Sequence, residues 1–227
     1  MSNDFRVNVE ELISNPSNRV PVVLCLDASG SMFGDPIREL NNGIELFINS
    51  VKEDHIAAAS VELCIITFSD NAQVVEDFCG LGSVSHTQVM STGGMTNLGA
   101  GVNLALDRLQ QRKALYQKTG VEYYQPWLVL MTDGVPTTSE HIAAAEETCR
   151  LESTKKLVVF PIGIGSGADM SVLSMFSKKR PPLKLKGLNF RQFFDWLSKS
   201  VSRVSQSMPG EHIKIDTSGI AAWGDIQ

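Results

Sequence analysis

The sequence predicts an α/β fold: a doubly wound, mostly parallel six-stranded sheet with one antiparallel edge strand and helices on both faces. Three observations carry this. The runs Arg19 to Leu26, Trp127 to Thr132 and Leu157 to Gly165 are continuously apolar, as strands covered on both faces are. They alternate with segments of helical periodicity, the pattern of strand-helix crossovers. Two of the runs end at an aspartate, Asp27 and Asp133, followed by a turn.

Taken in order, the first strand leads through a Gly- and Ser-rich turn into a helix from Pro36 to Val51. Asp35 is its expected N-cap, with Pro36 at the first helical position, and Ile37, Leu40, Ile44, Phe47, Ile48 and Val51 form one apolar stripe. Ala59 to Ser69 and Gln73 to Phe78 are β-rich and joined by the short turn Ser69-Asp70-Asn71-Ala72, which predicts the antiparallel edge hairpin. A loop containing Thr92-Gly93-Gly94-Met95-Thr96 precedes a helix from about Asn97 to Lys118. After the strand ending at Thr132 come a helix from Ser139 to Ser153, the strand Leu157 to Gly165, a short helix Asp169 to Phe176 and a short strand Leu183 to Leu185. In the last helix, Asn189 to Ser205, the residues Phe190, Phe193, Phe194, Leu197, Val201 and Val204 make a core-facing stripe. The domain is expected over residues 19–207, with an N-terminal extension of 1–18 and a tail of 208–227 whose structure the pattern leaves open.

Composition narrows the function. With 227 residues, 43% hydrophobic and 20% charged, the chain reads as a globular protein rather than a fibre or a disordered tail. Twenty basic against 25 acidic residues, a net charge of −5, give no general attraction to nucleic acid or an anionic membrane. The apolar runs fall far short of the roughly 20 residues of a membrane helix, and Met1 to Arg6 carries no secretory pattern. A cytoplasmic location is expected. Cys25, Cys64, Cys79 and Cys149 are widely spaced, without a Cys-x-x-Cys pair, and read as reduced, buried small hydrophobes. The four histidines are equally scattered, which speaks against a zinc enzyme.

One constellation stands out. In doubly wound sheets ligands bind beyond the carboxyl ends of the strands, where strand order reverses. Asp27-x-Ser29-x-Ser31, Thr96 and Asp133-Gly134 all fall at such strand-to-helix boundaries. Two carboxylates and three hydroxyls are hard oxygen donors suited to Mg²⁺, with Mn²⁺ possible. The set contains only two formal negative charges, so a cation held there retains attraction for a further carboxylate from outside.

These residues resemble the metal-ion-dependent adhesion site of von Willebrand factor type A domains, and the resemblance covers roughly residues 19–205. It implies that Ser29, Ser31 and Thr96 contact the metal directly, that Asp27 and Asp133 act directly or through water, and that a partner protein's acidic residue completes the shell. Longer stretches, among them Arg19 to Asp27, Asn41 to Gly43, Ile65 to Phe68, Met131 to Gly134 and Phe190 to Ser200, resemble the bacterial TerY type associated with tellurite resistance. That resemblance implies a cytoplasmic stress-response or signalling system in the company of a Ser/Thr kinase and a PP2C-type phosphatase. The zinc-binding C-terminal region of some TerY-type members has no counterpart, since no cysteine follows Cys149.

Rival readings are weaker. A Mg²⁺-dependent phosphatase of the haloacid-dehalogenase kind needs a second aspartate where Ser29 stands. Gly163-Ile-Gly165-Ser-Gly167 comes too late and is wrongly spaced for a dinucleotide fingerprint. No nucleophile elbow surrounds Ser29 or Ser31. The expectation is therefore a non-enzymatic, Mg²⁺-dependent protein-interaction module. Ser198, Ser200, Ser202, Ser205 and Ser207 are candidate phosphorylation sites if a kinase is a partner.

Overall fold

A computed structural model describes residues 12–208 and 219–227. The strands are β1 (Val20–Asp27), β2 (Val61–Phe68), β3 (Ala72–Gly80), β4 (Trp127–Thr132), β5 (Val158–Ile164), β6 (Leu183–Leu185) and β7 (Gly224–Ile226). The helices are α1 (Asp35–Lys52), α2 (His55–Ser60), α3 (Leu98–Thr119), α4 (Glu140–Ser153), α5 (Met170–Leu173) and α6 (Phe190–Ser205).

The sheet order is β3-β2-β1-β4-β5-β6-β7. Strands β2, β1, β4, β5 and β6 are parallel, and β3 and β7 run antiparallel at the two edges. The expected parallel sheet with its β2-β3 hairpin is present, but it has seven strands, not six. The seventh comes from the segment left open as a tail, which pairs Ile226 with Leu183 and Gly224 with Leu185. Trp223, only 8% exposed, packs its ring against Phe193 and Trp196 of α6. A run of Gly-Asp-Ile has no strand signature of its own, so the open edge of β6 decides it.

Both faces of the sheet are buried, which explains the uninterrupted apolar runs. On β1, Val20, Val22, Leu24 and Leu26 join the core under α1 and α6, whereas Val23 and Cys25 join the core under α3 and α4. The stripe of α6 is buried as predicted, from Phe190 to Val204. Opposite it, Gly43 of α1 lies against Phe194, so close that a Cβ there would overlap the ring and would fall 3.2 Å from the Cβ of Phe190. The helices approach each other at a residue without a side chain.

Two details at the helix starts differ from expectation. Asp35 is the first residue of α1 rather than its cap; the flanking Gly34 has φ 88° and Asp35 instead pairs with Arg38 at 2.8 Å. The short helix α2 was not anticipated, since six residues are too few to establish a period; its signal is Asp54, whose side chain accepts from the amides of Ile56 and Ala57. The helix expected over Asp169 to Phe176 shortens to Met170–Leu173, with Asp169 as its cap.

At the amino end of the sheet Glu62 forms a buried charge cluster. Its carboxylate accepts from Arg112 at 2.7 and 2.8 Å and from the Tyr116 hydroxyl, and pairs with Arg19 at 3.3 Å. Arg19 in turn donates to the carbonyls of Leu12 and Asn15, which ties the segment before β1 to the sheet.

Replacing Glu62 by Ala strands two buried guanidinium groups and is expected to cost about 3 to 5 kcal/mol of stability in urea denaturation. Gly43→Ala must push Phe194 aside, and a loss of about 1 to 3 kcal/mol is expected, seen as a lower thermal midpoint with the sheet signal retained.

Candidate metal centre

The chain lays β2 and β3 on one side of β1 and then β4 on the other, so strand order reverses between β1 and β4. At such a point the two following loops diverge and leave a crevice. Asp27 is the last residue of β1, Thr132 the last of β4, and Leu26 and Met131 are in register. The crevice therefore opens on Asp27.

The Asp27 side chain is fully buried, and both of its oxygens are held. Oδ1 accepts from the Ser29 amide at 2.8 Å, and Oδ2 accepts from the Thr132 hydroxyl at 2.5 Å. Burial raises its pKa above the usual carboxylate range; hydrogen bonds from Ser29 and Thr132 work against that rise, while the charge of Asp133 adds to it. An ionised Asp27 thus calls for positive charge in the crevice.

The other predicted residues come together above it. Ser29 Oγ lies 3.1 Å from Ser31 Oγ, and Ser31 Oγ donates to Asp133 Oδ1 at 2.7 Å. Thr96 arrives from the third loop: a Cβ on Gly134 would lie 3.0 Å from Thr96 Oγ1, and the Thr96 carbonyl accepts from the Thr137 amide at 3.0 Å. Ser29 and Thr96 are buried, Asp133 is half-buried and Ser31 is exposed. The set is graded from a buried carboxylate to an open rim. Five oxygen-bearing side chains from three loops, without nitrogen or sulfur, fit a hard divalent cation.

Sequence reasoning missed the residues that hold this arrangement. Thr132, read only as the end of a strand, bridges β4 to Asp27 and also accepts from the Gly134 amide at 3.2 Å. Asp70, in the β2-β3 turn, accepts from the Met95 amide at 2.8 Å and lies beneath Gly94, where φ is 79° and a Cβ would overlap an Asp70 carboxylate oxygen. Ser91 donates to the Ser29 carbonyl at 2.8 Å. Asn41 of α1 clasps Val89, accepting from its amide and donating to its carbonyl, both at 2.8 Å. The loop that delivers Thr96 is thus fixed at several points before α3 begins.

The glycine run after β5 packs against the site: a Cβ on Gly167 would lie 2.7 Å from the Asp133 carbonyl oxygen. Of the C-terminal serines, Ser198, Ser200 and Ser205 are buried and donate to the carbonyls of Asp195, Trp196 and Ser202, which leaves Ser202 and Ser207 more accessible. None of the four cysteines forms a disulfide, and Cys25, Cys64 and Cys79 are buried.

A family model described as the von Willebrand factor type A domain matches residues 22–193. The chain belongs to that family. Solved structures with the same fold include proximal thread matrix protein 1 from the mussel byssus, with 16% identity and a TM-score of 0.58 over 83% of this chain and 49% of that one. The pilus adhesin SpaC from Lactobacillus rhamnosus GG matches at 15% identity and TM-score 0.63, over 82% of this chain and 30% of that one. The PilB minor pilin from Streptococcus sanguinis matches at 14% and 0.62, over 85% and 64%. This von Willebrand factor type A domain thus spans less than two thirds of each of these proteins. A further structure of the mussel protein has a zinc-occupied MIDAS motif, the metal-ion-dependent adhesion site. No curated protein matches the chain in sequence. Among the described residues no helix is long and apolar enough to cross a membrane.

Replacing Asp70 by Ala removes the anchor of the Met95 amide. A stability loss of about 1 kcal/mol is expected, with any divalent-cation binding weakened in calorimetry although Asp70 is not one of the five candidate donor residues.

Proposed function

We propose that this von Willebrand factor type A domain is a Mg²⁺-dependent docking module, with Mn²⁺ able to substitute, that captures a partner protein through an acidic side chain. The observation that carries the reading is the convergence of Asp27, Ser29, Ser31, Thr96 and Asp133 at the strand-order reversal. A divalent cation held there supplies the positive charge that a partner carboxylate needs. Asp27 contributes buried charge and, through the Ser29 amide, sets the turn that presents both serines. Ser29, Ser31 and Thr96 contribute neutral oxygens, which leave the cation's charge largely uncancelled. Asp133, half-buried on the rim and bonded to Ser31, is the carboxylate that competes with the partner's.

Docking without turnover is part of the proposal. Asp27 is buried with both oxygens engaged, so it is not presented as a nucleophile, and Ser29 stands where a dehalogenase-type phosphatase needs its second aspartate. The wider setting proposed is a bacterial, cytoplasmic stress-response or signalling system related to tellurite resistance, with a Ser/Thr kinase and a PP2C-type phosphatase as companions. Its support is the resemblance of Arg19 to Asp27 and Phe190 to Ser200 to TerY-type chains. Three buried cysteines and no disulfide fit a reducing compartment.

Calorimetry should detect Mg²⁺ binding to the native chain and little or none to Asp27→Asn, whose side-chain oxygen can still accept from the Ser29 amide and whose circular dichroism should be unchanged. Undiminished binding would defeat the site. Co-purification from the source organism should recover partner proteins in Mg²⁺ and lose them in chelator, and p-nitrophenyl phosphate should not be turned over.

A further inference from the structure

The three loops that build the candidate metal centre share a second property. Residues 28–34, 89–97 and 134–139 contain no Lys, Arg, Asp or Glu. They carry instead Phe33, Met90, Met95 and Val135, which are 79%, 75%, 58% and 58% exposed. Nine large hydrophobic side chains are exposed among the described residues, and these four all lie on the loops around one crevice. Scattered apolar side chains on a surface are ordinary; a group of them around a polar centre marks a contact surface.

The loops are also pinned to one another. Gly30 donates to the Gly94 carbonyl at 3.4 Å, Thr92 to the Ala28 carbonyl at 2.9 Å, and Ser31 to Asp133 at 2.7 Å. Met95 is held through its own amide by Asp70, and Met90 sits between the anchored Val89 and Ser91. The apolar side chains thus stand on backbone that is already ordered, which lowers the cost of ordering on contact.

From this rim we infer the kind of segment the module takes: one carboxylate flanked on both sides by apolar side chains, with no charge in the flanks. The inference rests on the docking function proposed above. Charge complementarity supports it. The centre accepts one partner carboxylate once a divalent cation is held, but beyond it the three loops offer no counter-ion. A charged flanking residue would lose water against Phe33 or Met95 with no counter-ion on these loops; the nearby Asp35 and Arg38 already pair with each other at 2.8 Å, and Asp70 is engaged by the Met95 amide. An apolar flank covers them instead, and each side chain removed from water adds to affinity. The carboxylate then supplies metal dependence, and the rim supplies selectivity.

The test is nuclear magnetic resonance on the full chain labelled with ¹³C at the methionine methyls, so that Met90 and Met95 report directly. The probes are three capped pentapeptides, Gly-Leu-Glu-Leu-Gly, Gly-Ser-Glu-Ser-Gly and Gly-Leu-Gln-Leu-Gly, each titrated in Mg²⁺ and in chelator. The Leu-Glu-Leu peptide should shift both methyls only in Mg²⁺. It should bind at least about fivefold more tightly than the Ser-flanked peptide, and Phe33→Ser with Met95→Ser should remove that preference while Mg²⁺ binding by calorimetry stays intact. Equal binding of the two Glu peptides, binding of the Gln peptide in chelator, or no shift with any peptide overturns the inference. Absence of Mg²⁺ binding in the native chain overturns the docking reading beneath it, a separate result of the same calorimetry.

Discussion

The arrangement of this molecule depends on one buried carboxylate at a strand-order reversal. Asp27 ends β1 where β4 has crossed to the other side, and its two oxygens tie both strands together, one through the amide of its own turn and one through Thr132. A buried carboxylate without partners is costly, so the turn at Ser29 and the end of β4 must both hold their positions. With those fixed, Ser31 reaches Asp133 and the remaining donors have one crevice to enter.

The third loop shows how the rest of the fold serves that point. Thr96 has no strand of its own; it enters between the β2-β3 hairpin and α3. Asp70 on the hairpin, Asn41 on α1 and Ser91 against Ser29 fix its loop from three directions. The opposite end of the sheet is organised independently by Glu62 with Arg19, Arg112 and Tyr116, far from the crevice in the fold and unrelated to it in chemistry.

Much of the fold was legible because burial on both faces leaves a direct trace. The run from Val20 to Leu26 could be read as a central strand, and the stripe of α6 from Phe190 to Val204 as a core face. The convergence of Asp27, Ser29, Ser31 and Asp133 was legible because they end or directly follow such strands. What was not legible had weak local signals. β7 is three residues whose pairing is set by the open edge of β6, and α2 is recognisable only from its Asp54 cap. Asp70 and Thr132 looked like an ordinary turn residue and a strand end because their roles lie in bonds to residues 25 and 105 positions away.

By itself the sequence determined the class of fold, the order of its longer strands and helices and the residue types at the rim, because hydrophobic period, turn residues and donor type are local properties. Tertiary structure alone decided that the last residues close the sheet, that Asp70 and Asn41 deliver Thr96, and that the four apolar side chains are exposed on the loops around the same crevice. The reason is physical. A hydrogen bond between distant segments, or the exposure of Phe33 and Met95, depends on how loops far apart in the chain meet, and no single stretch of residues encodes that meeting.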